Sequence, residues 1–230
     1  MSDDFVQSLA RGLAVIRAFD ADHAELTLSE VARRAELPRA AARRFLRTLA
    51  VLGYVRSDGK VFRLTPRVLE LGFSYLSALS LPEIAQPHLE RLSHELDESV
   101  SAAVLDGDDI VYVARVATRR IMSVGITIGT RFPARKTSMG RVLLAAADAG
   151  YAPEVRAAGW AIVDQELEPG LRAVAAPVRD RTGEVVAAVN VSTSTARTSL
   201  EQLREVHLPA LLRATAAIEH ELHAPVTPGD

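Results

Sequence analysis

The chain has 230 residues, of which 48% are apolar and 24% charged, and it contains no cysteine. That length suits one large or two small domains, and the missing thiols exclude a disulfide framework, a thiolate metal site and cysteine nucleophile chemistry. The net charge of −2 conceals an asymmetry: residues 38–67 carry seven arginines and Lys60 against Asp58 alone, whereas residues 66–230 hold 16 bases against 21 acids. A short basic segment on an acidic chain is the electrostatic mark of a polyanion partner. Asp3, Asp4, Asp20 and Asp22 break up the start of the chain, so no secretory signal is expected there. No stretch approaches the roughly 20 apolar residues of a membrane span. The expectation is a cytoplasmic protein without a membrane partner.

Phe5, Leu9, Leu13, Ile16 and Phe19 recur near helical spacing and predict a first amphipathic helix. Thr27-Leu28-Ser29-Glu30 has the form of a capping box and opens a second, over 28–35. After a turn at Glu36-Leu37, Pro38 suits the first position of a third helix, whose buried stripe is Ala42, Phe45, Leu46, Leu49 and Leu52. Arg39, Arg43 and Arg47 recur every fourth residue on another face, with Ala40 and Arg44 beside them, and Gly53 supplies a stop. Residues 54–64 alternate about Asp58-Gly59, the dipeptide favoured in type I′ hairpin turns. Helix, helix, turn, helix and two-stranded wing is the order of a winged helix-turn-helix, here over residues 1–65. Phosphates attract cations and guanine edges accept bidentate arginine. The candidate contacts to double-stranded operator DNA are therefore Arg39, Ala40, Arg43, Arg44 and Arg47, with Arg56 and Lys60 of the wing. A merely solvated face would mix signs, and this one does not.

Thr65-Pro66 opens a helical connection over 66–96, carried by Leu69, Leu71, Phe73, Tyr75 and Leu76, interrupted at Leu81-Pro82 and resumed from Glu83. Packing of such helices suits a dimer on a palindromic operator. Residues 97–225 then read as strands at 100–104, 110–116 and 121–128, a loop at 129–133, and a helix from Thr137 to Ala147. Further strands follow at 160–163, 171–178 and 184–192, with a closing helix over 200–222. Hairpin strands flanked by helices argue an α+β ligand-sensing domain rather than a parallel doubly wound sheet. Residues 226–230 are expected to be a disordered tail.

No G-x-S-x-G, P-loop, G-x-G-x-x-G or H-E-x-x-H sequence occurs, and the six histidines are scattered. No catalytic residue, cofactor or metal is expected. The alternative is a small-molecule-binding or hydrolytic domain with a helical N-terminal appendage. For a ligand, Thr137 or Ser138 can cap a helix whose free N–H groups form an anion site. Asn190 and Ser192 share one strand face by alternation. Arg119 and Arg120 are candidates to neutralise a carboxylate, and Met122 to line the apolar part.

Three stretches are specific in combination: LTLSEVARRAELPRAAARRFLRTLAVLGYV (26–55), ATRRIMSVGITIGTRFPARKTSMGRVLLA (117–145) and GWAIVDQELEPGLRAVAAPVRDRTGEVVAAVNVS (159–192). Together they resemble the IclR family of bacterial transcription regulators over essentially the whole chain. The second stretch is most similar to the branch controlling the protocatechuate and β-ketoadipate routes of aromatic degradation. The resemblance implies a winged helix-turn-helix head, helical linker and C-terminal GAF-like α/β effector-binding domain. It also implies a homodimer or dimer of dimers, switched by a small carboxylate or aromatic acid effector. Family effector contacts carry over to Ser138 and Met139, the two positions before Gly140, to Asn190 and Ser192, and to the neighbourhood of Asp164. Two departures stand out. Only eleven residues separate Ala147 from Gly159, where the family carries further helical sequence, and Arg135-Lys136 replaces less charged residues.

Overall fold

The structure is a computed structural model, and it describes residues 5–71, 81–118 and 126–223. The chain divides into two compact units, one ending at Ala78 and the other beginning at Leu79.

In the first unit, α1 (Gln7–Arg17), α2 (Leu28–Arg34) and α3 (Arg39–Val51) surround a core of Val15, Phe19, Leu26, Val31, Ala42, Leu46 and Leu49. The capping box ahead of α2 forms as expected: Thr27 Oγ1 accepts from the Glu30 N–H at 3.4 Å, and Glu30 Oε2 accepts from the Thr27 N–H at 2.7 Å. Pro38 sits one position ahead of the predicted place, as the residue capping α3 rather than its first helical residue. In the stripe of α3, Ala42, Leu46 and Leu49 are buried and Phe45 is half-buried against the same core, while Leu52 lies beyond the last turn and is exposed.

The first helix differs more. Of the predicted stripe, Phe19 is buried and Ile16 packs on the core with Val15, while Phe5, Leu9 and Leu13 are 53%, 63% and 47% exposed. Two apolar faces coexist toward the start of this helix, and spacing alone selected the outer one there. The wing consists of β2 (Val55–Ser57) and β3 (Val61–Leu64), to which β1 (Leu26–Thr27) adds a third, antiparallel strand. The turn is not type I′. Such a turn needs positive φ at both central residues, and only Gly59 has it, at 94°. Four residues separate the paired Ser57 and Phe62, and the Asp58 carboxylate closes the loop by accepting from the N–H groups of Lys60 and Val61 at 2.9 and 3.0 Å.

The second unit is built on one antiparallel sheet of six strands in the order β6-β5-β4-β9-β8-β7. These are β4 (Ser99–Asp106), β5 (Asp109–Val116), β6 (Arg131–Pro133), β7 (Ala161–Asp164), β8 (Leu171–Arg179) and β9 (Val185–Ser194). An α4 (Leu81–Leu96) packs against β4 and β5. The closing helix packs with it: α7 (Leu200–Gln202) runs through a π turn (Leu203–His207) into α8 (Leu208–His223). The opposite face is covered in part by α5 (Ser138–Ala147), with Met139, Val142 and Leu143 on Ala103, Ile110, Tyr112, Ala175 and Ala188.

Two elements escaped the sequence reading. Arg131–Pro133, expected as loop, adds to the sheet edge beside β5, where a proline without an N–H is tolerated. The short segment after Ala147 holds a helix, α6 (Pro153–Ala158), closed by Gly159 at φ 74°. The strand expected over 121–128 falls largely on residues outside those described. So do Phe73, Tyr75, Leu76 and the tail. Among the described residues no helix is long and apolar enough to cross a membrane.

Register decides what each face presents. Residues paired across antiparallel strands point to the same side. On the α5 side one cross-strand row is therefore Arg115, Ser101, Asn190, Ala175 and Ala161, and the next is Ser99, Ser192, Ala173 and Val163. A bulge in β5 opposite Ala102 and Ala103 adds one residue, so Tyr112 and Arg115, three apart, share this face.

Candidate functional site

Each unit carries one candidate surface. On the first, Arg39, Ala40, Arg43, Arg44 and Arg47 of α3 are all exposed, as are Arg56 and Lys60 of the wing. None of these six cations has an ion-pair partner among the described residues. The remaining two cations of the basic segment are engaged. Arg63 Nε pairs with Glu25 at 2.7 Å, and Arg67 reaches Glu70 at 3.3 Å and lies over the Tyr54 ring. The basic segment is thus sorted by geometry, with helix and wing cations free to meet phosphate and base edges.

On the second unit, a narrow cavity of about 20 Å³ lies beside α5 on the same sheet face. Its walls are aliphatic (Val163, Leu167, Leu171) or aromatic (Tyr112), and its polar groups are Thr137, Ser138, Asn190 and Ser192. Among the described residues that line it, Lys136 is the one charged group and none is an acid. Thr137 caps α5 by accepting from the Gly140 N–H at 3.0 Å, which settles the capping role on Thr137 rather than Ser138. Ser138, 2% exposed, is left with an Oγ that has no hydrogen-bond partner. Asn190 donates from Nδ2 to Ser192 Oγ at 2.9 Å, and its Oδ1 is likewise unpartnered. Unmet buried polar atoms are costly, and here two of them belong to residues lining one cavity. The first-turn N–H groups of Ser138 and Met139 have no intrahelical acceptor and favour negative charge. Burial pushes the Tyr112 hydroxyl up to about 12, so it stays protonated at physiological pH.

Of the predicted effector residues, Ser138, Asn190 and Ser192 converge on this cavity. Met139 does not line it: one residue further along the helix, its side chain turns onto the sheet and is wholly buried in the core. Asp164 is also not brought there. It lies on the other side of β7, held by Arg172 Nε and Nη2 at 2.8 and 3.1 Å, and its neighbour Val163 takes the cavity wall. Arg119, Arg120 and Met122 lie outside the described residues. Tyr112, Lys136 and Leu167 were missed. No short motif marks them, and the bulge in β5 breaks the alternation that would have placed Tyr112.

The comparisons with known proteins follow the same division. The IclR helix-turn-helix domain matches residues 8–59, and the bacterial transcriptional regulator IclR C-terminal profile matches 73–154 and 151–220. The second match is split where the sequence is short between Ala147 and Gly159. The Pca regulon regulatory protein of Pseudomonas putida is 47% identical over 247 aligned positions, covering 95% of this chain and 85% of that protein. The p-hydroxybenzoate hydroxylase transcriptional activator of Acinetobacter baylyi is 35% identical, with 94% and 91% covered. A solved structure from Rhodococcus sp. RHA1 superposes with a TM-score of 0.84 at 54% identity, covering 95% of this chain and 98% of that one. An IclR homolog from Microbacterium hydrocarbonoxydans, solved with 4-hydroxybenzoate, superposes at 0.82 with 25% identity over 94% and 99%. The two units are together what these profiles describe, and the chain belongs to the IclR family of DNA-binding bacterial transcriptional regulators.

Proposed function

We propose that this regulator responds to a hydroxylated aromatic carboxylate and controls genes of aromatic degradation. The observation that carries the reading is the acid-free cavity, in which Ser138 Oγ and Asn190 Oδ1 lack partners beside a capped helix N-terminus. A ring suits the aliphatic walls and Tyr112, and the polar groups of an aromatic acid suit the two polar ends of the cavity, the helix end and the Asn190–Ser192 pair. The 4-hydroxybenzoate of the Microbacterium homolog and the aromatic-acid regulons named for the Pseudomonas and Acinetobacter relatives support the same ligand class. The role is regulatory rather than catalytic.

In this reading Arg39, Arg43, Arg44 and Arg47 contact phosphates and base edges in the major groove, with Ala40 against the bases and Arg56 and Lys60 on the flanking backbone. A homodimer presents two such heads in the cytoplasm and a dimer of dimers four, and the exposed Phe5 and Val6 ahead of α1 with Leu9 and Leu13 on it are apolar area suited to that assembly. Effector acts by binding one arrangement of the assembly more tightly than the other. The test is a mobility shift on the protein's own promoter region, titrated with salt and repeated with 4-hydroxybenzoate and protocatechuate. Affinity is expected to fall steeply with salt and to change on adding one of the acids. Salt-insensitive binding refutes the DNA assignment, and indifference to every aromatic acid refutes the ligand class.

A further inference from the structure

The sheet face that floors the cavity continues past Asn190 to a cation that the cavity residues do not explain. Arg115 lies in the same cross-strand row as Ser101 and Asn190. Its Nη1 donates to Ser101 Oγ at 3.0 Å, and Ser101 is directly paired with Asn190, which puts the guanidinium one strand away from an unpartnered amide oxygen. Arg115 Nε is itself buried and has no hydrogen-bond partner. No carboxylate among the described residues pairs with Arg115, and the seven residues 119–125 that follow β5 contain no Asp or Glu.

An arginine in this position is unusual. Three other cations of the unit are matched by acids: Arg131 by Asp106 and Asp109, Arg141 by Glu166, Arg172 by Asp164. Withdrawing a guanidinium from water without an anion is unfavourable, and burial accordingly pulls the Arg115 pKa down from its ordinary value. Its nearest titratable neighbour is Tyr112, protonated and neutral. Among the described residues the charge is therefore unmatched, and the side chain is held in place by Ser101 while one donor stays open.

We propose that Arg115 is the residue that reads the acidic group of the effector, donating to its carboxylate from the Asn190 side of the cavity and making the site discriminate a carboxylate from its neutral isostere. This rests on the aromatic-acid reading above and deepens it. Lys136, exposed at the rim, offers a hydrated point charge rather than a planar fork and contributes little selectivity. The α5 N-terminus carries partial charge only.

The experiment compares calorimetric binding of 4-hydroxybenzoate, of 4-hydroxybenzamide and of adipate to the full chain and to Arg115→Gln, Arg115→Lys and Lys136→Met. The wild type is expected to favour the acid over the amide. In Arg115→Gln the acid loses about 10- to 100-fold in affinity, the scale of one charge-assisted hydrogen bond, while the amide changes less than about threefold. Arg115→Lys recovers part of the preference, and Lys136→Met lowers it by less than Arg115→Gln does; a larger loss in Lys136→Met overturns the assignment to Arg115. Amide binding reports that the variant is folded. Equal losses of acid and amide in Arg115→Gln overturn the proposal in favour of a structural role, as does an unchanged acid affinity. If the wild type binds adipate but neither aromatic compound, the aromatic reading fails while Arg115 is judged on adipate. Binding of no carboxylate by the wild type overturns both.

Discussion

Gly140 provides a sharp test of how the cavity roof is built. It is the third residue of α5, where the helix backbone runs against the turn at 134–136, and a methyl group there would lie 2.0 Å from the Ala134 carbonyl oxygen and 2.4 Å from its Cα. Ordinary contact begins at 3.4 Å, and the obstructing atoms are backbone, so Gly140→Ala must push α5 more than an ångström from the turn. Helix propensity alone argues the opposite sign, a gain of about 1 kcal/mol for alanine over glycine. Overpacking on this scale reaches about 3 kcal/mol. The net expectation is a loss near 2 kcal/mol, or roughly 4–8 °C in the Tm of a unit this size. Effector affinity falls with it, because Thr137 and Ser138 ride on the same turn. Gly150→Ala is the matched control, since its methyl would approach only the Asp148 side chain, at 3.4 Å. Differential scanning calorimetry of both variants decides the matter. A Gly140→Ala protein that melts at or above the wild type refutes the close packing of α5 on Ala134.

Three further outcomes are expected. Thr27→Ala removes the cap of α2 and lowers the stability of the DNA-binding unit by about 1 kcal/mol in urea unfolding. Arg172→Met strips Asp164 of its bidentate partner and the Thr198 carbonyl of a donor. The loss, read by thermal melting, is about 2 kcal/mol, less than for a fully enclosed pair because Asp164 keeps some solvent access. The Asp58 carboxylate is held below its ordinary value of 3.8 by the N–H groups of Val61 and then Lys60. A depressed carboxylate contributes stability that is complete above 3.8 and fades as pH falls through the lowered value. Asp58→Ala is therefore destabilised at pH 7 and converges on the wild type in acid melts; a gap that widens toward low pH contradicts the turn.

What the sequence made legible is the part written in local patterns. The capping box at Thr27, the arginine period of α3 and the alternation that pairs Asn190 with Ser192 each depend on neighbours a few residues apart. What it hid depends on partners far along the chain. Arg63 looks like a free wing cation until Glu25 arrives across the sheet. Asp164 looks like a ligand contact until the register of β7 turns it toward Arg172 and hands the cavity to Val163. On α1 two apolar faces compete, and only tertiary packing chooses Val15 over Leu9. Tyr112 and Arg115 are three residues apart in a strand, a spacing that reads as opposite faces unless the bulge is known.

That bulge also divides the labour of evolving such a sensor. Ala103 and Tyr112 lie where α5 covers the sheet, and Ser101 and Arg115 begin just past the extra residue, where strands carrying a bulge bend and twist more strongly. The bulge is a feature of the main chain, whereas the polar chemistry of this face belongs to the side chains of the flanking rows. On the proposed reading, point substitutions at 101, 115, 190 and 192 retune which acid is sensed, while Tyr112, Val163, Leu167 and Leu171 set the size of the hollow.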